Sequence, residues 1–385
     1  MYPTLTHMLQ DLFGVTIQTP IKTFGFFVAL SFIGANLVMT WEMKRKEKEG
    51  LLSTWKKKVW MGKPATTQDY FMSVLFGFIL GFKGAEAVMY YSDFVNDTQA
   101  FLLSGRGNFL FGVIGGVVFY YLKRREDKKQ RLPEPKQVEV TVHPHQMMGN
   151  ITIIAAVTGL IGAKFFHIFE DWTNFMDDPM GLIFSASGLT FYGGLICGGA
   201  GVLWYANKHG IKPLHMLDIG GPAMMLAYGM GRVGCHMSGD GDWGIVNTSP
   251  KPSWLPDWFW SYGYPHNVLN AGERIPGCEG DYCGVLVPGV YPTPLYEAIA
   301  GIGLFLVLWS LRKRINTAGV LFCIYLIFSG LERFFIEKIR VNTIYDFLGM
   351  HVTQAEIIST IMVALGVAGI IYLKNTDKKN STQLS

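Results

Sequence analysis

The strongest constraint on this chain is the way its charge is spaced. Apolar runs alternate with short polar segments, and lysine and arginine crowd into every second segment. A window of about 19 residues, enough helix to cross a hydrocarbon core, finds about nine such runs. They lie near 21–39, 71–91, 108–122, 151–169, 189–206, 216–234, 295–311, 320–336 and 357–373. Basic runs follow the first (Lys44, Arg45, Lys46, Lys48, then Lys56, Lys57, Lys58) and the third (Lys123, Arg124, Arg125, Lys128, Lys129). Lys208 and Lys212 follow the fifth, Arg312, Lys313 and Arg314 the seventh, and Lys374, Lys378 and Lys379 the last. Cytoplasmic loops carry this excess of positive residues. The expectation is an all-α polytopic membrane protein of about nine transmembrane helices, with the N-terminus outside and the C-terminus cytoplasmic. Composition agrees, because only 16% of the residues are charged, against about a quarter in a soluble domain. The net charge of +4 is spread over separate loops and does not point to nucleic acid. The start, MYPTLTHMLQ, does not read as a cleaved signal peptide.

This topology places 92–107, 170–188, 235–293 and 338–353 outside. The long extracytoplasmic region 235–293 holds Trp243, Trp254, Trp258, Trp260, Tyr262 and Tyr264, residues that favour the membrane–water boundary. Cys278 and Cys283, in CEGDYC, can close a small disulfide loop in an oxidising compartment. A zinc site lacks a second pair of ligands at matching spacing, and Cys197 and Cys323 sit in apolar runs as packing residues. Within a single integral membrane domain, 1–385, the hairpin 71–122 resembles 151–206. Lys83 aligns with Lys164, and Ser104–Gly105 with Ser187–Gly188.

Polar residues gather at the outer ends of the runs. In YGMGRVGCHMSGDGDWG (228–244) an apolar helix ends at Arg232, and a glycine-rich loop with Asp240 and Asp242 follows. An arginine there is costly in hydrocarbon unless it faces a cavity or an anion. Its planar fork suits phosphate, so an anionic lipid headgroup is the first hypothesis, with snorkelling to the interface as the alternative. Tyr192 with Gly193–Gly194, Tyr296 with Glu297, and Arg333, Glu337 and Arg340 on one helical face lie at the same depth. Lys83, Glu86, Lys164 and His167 complete this outer set. Asp240 and Asp242 fit capping or pairing with Arg232 better than a metal site, for which further ligands are wanting. No nucleotide-binding glycine loop, H-E-x-x-H helix or G-x-S-x-G elbow occurs, so no cofactor is expected.

Taken in order, GLTFYGGLI (188–196), GRVGCHMSGDGDWG (231–244), YPTPLYEA (291–298), RFFIEKIR (333–340) and HVTQAEIIS (351–359) resemble the prolipoprotein diacylglyceryl transferase family. Its motifs take the forms G-x-x-[FI]-[HY]-G-G-L-I, G-R-x-G-N-F-x-N-x-E, H-P-[ST]-Q-L-Y-E, R-F-x-x-E-x-x-R and S-x-G-Q-x-L-S. The likeness runs from about residue 151 to the C-terminus and returns weakly at 20–30, so 71–122 looks like an addition to a seven-helix core. Departures are specific. Cys235–His236 stands for Asn-Phe, Ser238 for the second Asn, Asp240 for the Glu, Tyr291 for the His, Pro294 for the Gln, and Phe24 for a frequent tyrosine. Arg232, Arg333, Glu297, Glu337, Arg340 and Gln354 are kept.

The resemblance implies transfer of a diacylglyceryl group from phosphatidylglycerol to the lipobox cysteine of prolipoprotein signal peptides. The setting would be the bilayer of a bacterial inner membrane, with the site towards its outer leaflet. By carry-over, Arg232 and Arg333 stabilise the departing phosphate, and Tyr192 holds the position proposed for the base. His236 is a rival base. Gly193, Gly194, Gly234, Asp240, Asp242, Tyr296, Glu297, Glu337 and Arg340 would contact substrate. The alternatives are a related transferase with another acceptor and a non-catalytic lipid-binding or transport protein. Transport sites lie near the midplane, whereas these residues sit at the outer ends.

Overall fold

The computed structural model describes residues 1–96, 98–185, 190–342, 344–347 and 350–383. Its long helices are α1 (Thr23–Lys48), α2 (Thr67–Met89), α3 (Phe109–Gln130), α4 (Met148–Glu170), α5 (Phe191–Lys208), α6 (Pro213–Ser238), α7 (Thr293–Leu311), α8 (Val320–Glu337) and α9 (Gln354–Gln383). Among the described residues, five segments are long and apolar enough to cross a membrane: Thr23–Lys48, Thr67–Met89, Pro144–Glu170, Thr293–Leu311 and Gln354–Lys378. The protein is thus mostly helical and consistent with a polytopic membrane protein. Others are interrupted by polar groups: α3 runs into KRREDKKQ, α6 carries Asp218 and Arg232, and α8 carries Glu332, Arg333 and Glu337.

The chain groups into two compact units, one of Met1–Pro3, Phe24–Thr54 and His143–Ser385, the other of Thr4–Thr23 and Trp55–Val142. The sequence treats 1–385 as one domain; the 71–122 hairpin belongs to the second unit. In the first unit, α6, α7 and α8 pack around Met225, Leu308 and Leu321. A Cβ added at Gly229 would meet the Ile302 backbone nitrogen of α7 at 2.9 Å, so glycine is what lets these two helices close. At the far end of α6 from Arg232, Asp218 accepts from the backbone amides of Gly319 (2.8 Å) and Phe322 (3.0 Å) and pairs with Lys46 at 3.7 Å. Nearby, buried Glu42 pairs with Arg45 and, at 3.2 Å, with Arg312. These ties fix α1, α6, α7 and α8 at one end and leave the other end to the site.

The second unit is the α2–α3 hairpin joined to a two-stranded ribbon, β1 (Trp55–Met61) with β2 (Lys136–Val142). Its helices meet through glycine: a Cβ on Gly81 would stand 2.1 Å from the Phe111 carbonyl. The α4–α5 hairpin of the first unit is built the same way, with Gly162 facing the Gly193 carbonyl. The likeness extends to hydrogen bonding. Lys83 Nζ donates to the carbonyl of Ser104 (2.5 Å) and Lys164 Nζ to that of Ser185 (2.9 Å), each 21 residues on. The carbonyl before each lysine accepts from the residue that opens the return helix, Asn108→Phe82 at 2.9 Å and Thr190→Ala163 at 3.1 Å. The lysine bonds give Ser104 and Ser185 the same part in the two hairpins. The Ser187–Gly188 pair that the sequence alignment chose lies outside the described residues. They also give both lysines a job: capping carbonyls at a hairpin's turn.

Candidate active site

The first departure from expectation is local. The helix does not end at Arg232 but continues through Cys235 and His236 to Ser238, where Gly239 caps it at φ 65°. Gly231 and Gly234 do not break it, because a glycine weakens a helix by only about 1 kcal/mol. A Cβ on Gly234 would lie 2.8 Å from Phe27 Cβ of α1, so this glycine is a crossing point. Gly193 and Gly194 likewise lie at the α4–α5 crossing, the former within 2.5 Å (from its added Cβ) of the Gly162 carbonyl. The structure therefore gives all three glycines helix packing, where the sequence suggested ligand contact.

Past Gly239 the chain turns back over the helix ends. The Gly244 amide donates to Tyr291 O and that of Ile245 to Ile339 O, both at 2.9 Å. Thr293 Oγ1 donates to Asp242 O at 2.8 Å. The loop is thereby pinned to the start of α7 and the end of α8, and Asp242 is delivered between arginines from two elements. Asp242 accepts from Arg232 Nη1 and from Arg340 Nη2.

Glu297 lies at the centre and is fully buried. Its carboxylate is 3.3 Å from Arg232 Nε, 3.3 Å from Arg333 Nη1 and 3.4 Å from Arg340 Nη1. Arg333 Nη2 reaches Glu337, four residues on, at 3.1 Å, and Glu337 also accepts from Asn342 Nδ2 at 2.6 Å. Arg232, Arg333, Arg340, Asp242, Glu297 and Glu337, separate in sequence, form one cluster. Each guanidinium has five N–H donors. The pairs above engage two nitrogens of each, so the acids orient the arginines without saturating them.

Two members escaped the sequence reading. Tyr228 Oη donates to Glu297 at 3.0 Å and to Glu332 at 3.2 Å, bridging the two carboxylates. The Arg232 guanidinium lies 5.3 Å from the Tyr228 ring centre. Both signals were in the chain. Tyr228 is one turn before Arg232 on the same face, and a second glutamate inside an apolar run is itself costly.

Other expected site residues stand elsewhere. His236 Nδ1 lies 3.1 Å from Tyr264 Oη, with its ring against Tyr262 and Tyr264. Burial pushes both phenols above their ordinary value. Tyr296 Oη donates to the Phe259 carbonyl and its ring packs on Phe259, in the loop before α7. Tyr192 stands in the first turn of α5, 37% exposed. Cys278 and Cys283 are disulfide-bonded, closing a small loop within 235–293.

Cys235, Asp240 and Asp242 bring potential metal-ligand atoms within 4.8 Å of one another. Their closeness has another account, since the Cys235 thiol bonds Asp240 and the guanidiniums hold Asp242. The two carboxyls diverge electrostatically. Burial raises Asp240. Burial acts on Asp242 too, but the charges of Arg232 and Arg340 overcome it and hold that carboxyl below the ordinary range.

A family model described as prolipoprotein diacylglyceryl transferase matches residues 110–372, a span that contains the whole cluster. The chain belongs to that family. The match also takes in most of α3, which the sequence grouped with the added hairpin. Relatives named phosphatidylglycerol–prolipoprotein diacylglyceryl transferase include one from Clostridioides difficile, 30% identical over 237 residues (61% of this chain, 81% of that protein). One from Streptococcus agalactiae is 28% identical over 226 residues (57% and 77%). Another, from Staphylococcus haemolyticus, is 25% identical over 282 residues (72% and 88%).

Proposed function

We propose that this family member transfers a diacylglyceryl group from phosphatidylglycerol to the lipobox cysteine of a prolipoprotein, forming a thioether and releasing glycerol phosphate. The observation that carries the reading is the cluster around buried Glu297, three guanidiniums held by acids at the ends of apolar helices. The acceptor thiolate attacks the glycerol carbon, the carbon–oxygen bond breaks, and the phosphate leaves as an anion. Arg232 and Arg333 take up the charge developing on that phosphate, as preorganised donors in a water-poor site do. Arg340 holds Asp242 in place beside them. The thiol must lose its proton before it attacks, because the thiolate is the nucleophile. We assign that proton to Tyr192, acting as the phenolate, by its place in the family's motif. His236, with its ring against Tyr262 and Tyr264, is the second candidate.

The proposed setting is the inner membrane of a bacterium. About nine spans cross it, with the N-terminus outside, the C-terminus in the cytoplasm and the cluster in the outer leaflet, a topology that the basic loops support. Extraction of both lipid and signal peptide from that leaflet suits a site at helix ends.

The test is transfer in detergent from phosphatidylglycerol to a lipobox peptide, read by mass spectrometry of its cysteine. A diacylglyceryl adduct is expected. Arg232→Ala and Arg333→Ala should each abolish it while the protein still inserts and purifies. Near-normal transfer by both variants would sink the phosphate assignment. Tyr192→Phe against His236→Ala, compared across pH, separates the two bases. The rewritten Cys235–His236 signature favours one second reading, a different acceptor; adduct absent from the peptide but formed on another thiol would establish it.

A further inference from the structure

The β1–β2 ribbon has a feature that lipid transfer does not use. Its antiparallel register puts Trp55, Lys57, Val59 and Met61 opposite Val142, Val140, Val138 and Lys136. Directly opposed residues share a face, so these eight side chains form one surface and six of them are apolar. The other face, with Lys56, Lys58, Gln137, Glu139 and Thr141 beside Trp60, is mostly polar. Val59 is 38% exposed, Met61 52%, Val138 37% and Val140 41%. A two-stranded ribbon alone is marginal in water, and one that shows an apolar face calls for a cover.

Two observations identify the cover. First, charge: Glu139 is matched by Lys56 at 3.4 Å and Glu126 by Lys123 at 3.0 Å. Lys57 and Lys136 stand within the apolar face itself, and Lys58, Arg124, Arg125 and Lys128 lie in the same ribbon and the adjoining end of α3. Second, height: Asp127 of α3 accepts from the Ala65 amide at 2.6 Å and from Tyr70 Oη at 3.2 Å, and the Leu132 amide donates to Gly62 O at 3.3 Å. These bonds root the ribbon beside Asp127, five residues past Leu122, the last apolar residue of α3. That is about 8 Å of helix, the depth of a headgroup layer.

We infer that the ribbon lies flat on the leaflet at the base of the α2–α3 hairpin, its apolar face at the acyl boundary and Lys57 and Lys136 on anionic headgroups. Lys57, inside the apolar face, reaches the headgroups along its methylene stem. Trp55, on the apolar face, suits the same boundary.

The test uses full-length protein in phosphatidylcholine vesicles with and without phosphatidylglycerol. A nitroxide is attached at Val138→Cys or, one residue earlier on the opposite face, at Gln137→Cys. Unsubstituted protein labelled in parallel supplies the background of Cys197, Cys235 and Cys323. With anionic lipid, Val138→Cys should collide more with oxygen and Gln137→Cys more with a water-soluble nickel complex. Phosphatidylserine in place of phosphatidylglycerol should preserve the contrast, which separates surface binding from substrate binding. Each lysine near an anionic leaflet favours the bound state roughly fivefold, so Lys57→Gln with Lys136→Gln should weaken seating about 25-fold. Equal nickel access at both positions would overturn the inference, leaving the ribbon in water. So would a contrast that persists in phosphatidylcholine alone. A contrast that follows protein density instead of lipid charge would assign the face to a second copy.

Discussion

Glu297→Gln probes the centre of the cluster with almost no change in shape. The native carboxylate has guanidinium nitrogens at 3.3, 3.3 and 3.4 Å. At an effective dielectric of about 20, one such pair is worth about 5 kcal/mol gross, so three sum to about 15 kcal/mol. Desolvating a buried carboxylate cancels most of that, and breaking a buried pair costs about 3–5 kcal/mol net. Here the lower end applies, because each arginine keeps one other acid: Asp242 for Arg232 and Arg340, Glu337 for Arg333. The expected loss of stability is therefore about 3 kcal/mol. The effect on transfer should be larger in kind. The amide turns a donor towards the arginines, they swing apart, and a displacement on the order of 1 Å costs about 100-fold in rate. Transfer to a lipobox peptide and thermal unfolding would be measured on one preparation. Glu297→Asp, which keeps the charge and shortens the arm, should recover part of both. A folded Glu297→Gln protein working within about threefold of the native rate would refute the reasoning, since orientation by Glu297 could then not matter.

Three further outcomes are expected. Tyr228→Phe leaves Glu297 and Glu332 facing each other without their bridging donor; it should cost about 1–3 kcal/mol of stability and lower kcat more than it raises KM, which steady-state kinetics would show. Asp240→Asn and Asp242→Asn should have opposite effects on thermal stability across pH. Asp242 is held below its ordinary value of 3.8, so its contribution is present above that value and lost as pH falls through the lower folded one; its Asn variant is less stable near neutrality and the deficit closes in acid. Asp240 is raised above 3.8 by burial, so its charge is a burden near neutrality that lifts as pH falls through the folded value; its Asn variant should be the more stable near neutrality, and the reverse order for the pair would contradict the electrostatics. Gly193→Ala would place a Cβ 2.5 Å from the Gly162 carbonyl and should destabilise the α4–α5 hairpin by about 1–3 kcal/mol, read as a lower unfolding temperature with transfer retained below it.

The alternation of apolar runs with basic loops made the helical architecture legible, because hydropathy over a whole span sums many weak terms in one direction. Cluster members on motif faces were legible for the same kind of reason: Arg333, Glu337 and Arg340 sit at helical spacing, and Arg232 is a charge where charge is expensive. What stayed hidden depended on one contact at a time. Nothing in GRVGCHMS says that the helix runs on to Ser238, since that rests on Phe27 filling the space beside Gly234. Gly193 and Gly194 look like a ligand loop until the opposing Gly162 is seen. Tyr228 was passed over because a tyrosine in an apolar run is ordinary, and Glu332 because its neighbour Arg333 belongs to the stronger motif. Lys83 and Lys164 had the look of site residues, yet their charge is taken up by hairpin carbonyls.

The balance of charge in the cluster bears on how it can turn over. Three arginines brought together without acids would repel one another, and each would have to be stripped of water at a cost no substrate could repay. Asp242, Glu297 and Glu337 remove that cost during folding, so the guanidiniums wait in fixed positions with donors to spare. The same acids limit how strongly a phosphate is held, because an arriving anion meets guanidiniums already partly neutralised. Tight binding of ground state and transition state alike does not raise a rate. A site that holds a phosphodiester weakly and a departing, more highly charged phosphate more strongly gains where the barrier lies. On the proposed assignment of Arg232 and Arg333, acids that look like competitors for the substrate are what would make the arginines selective for the leaving group.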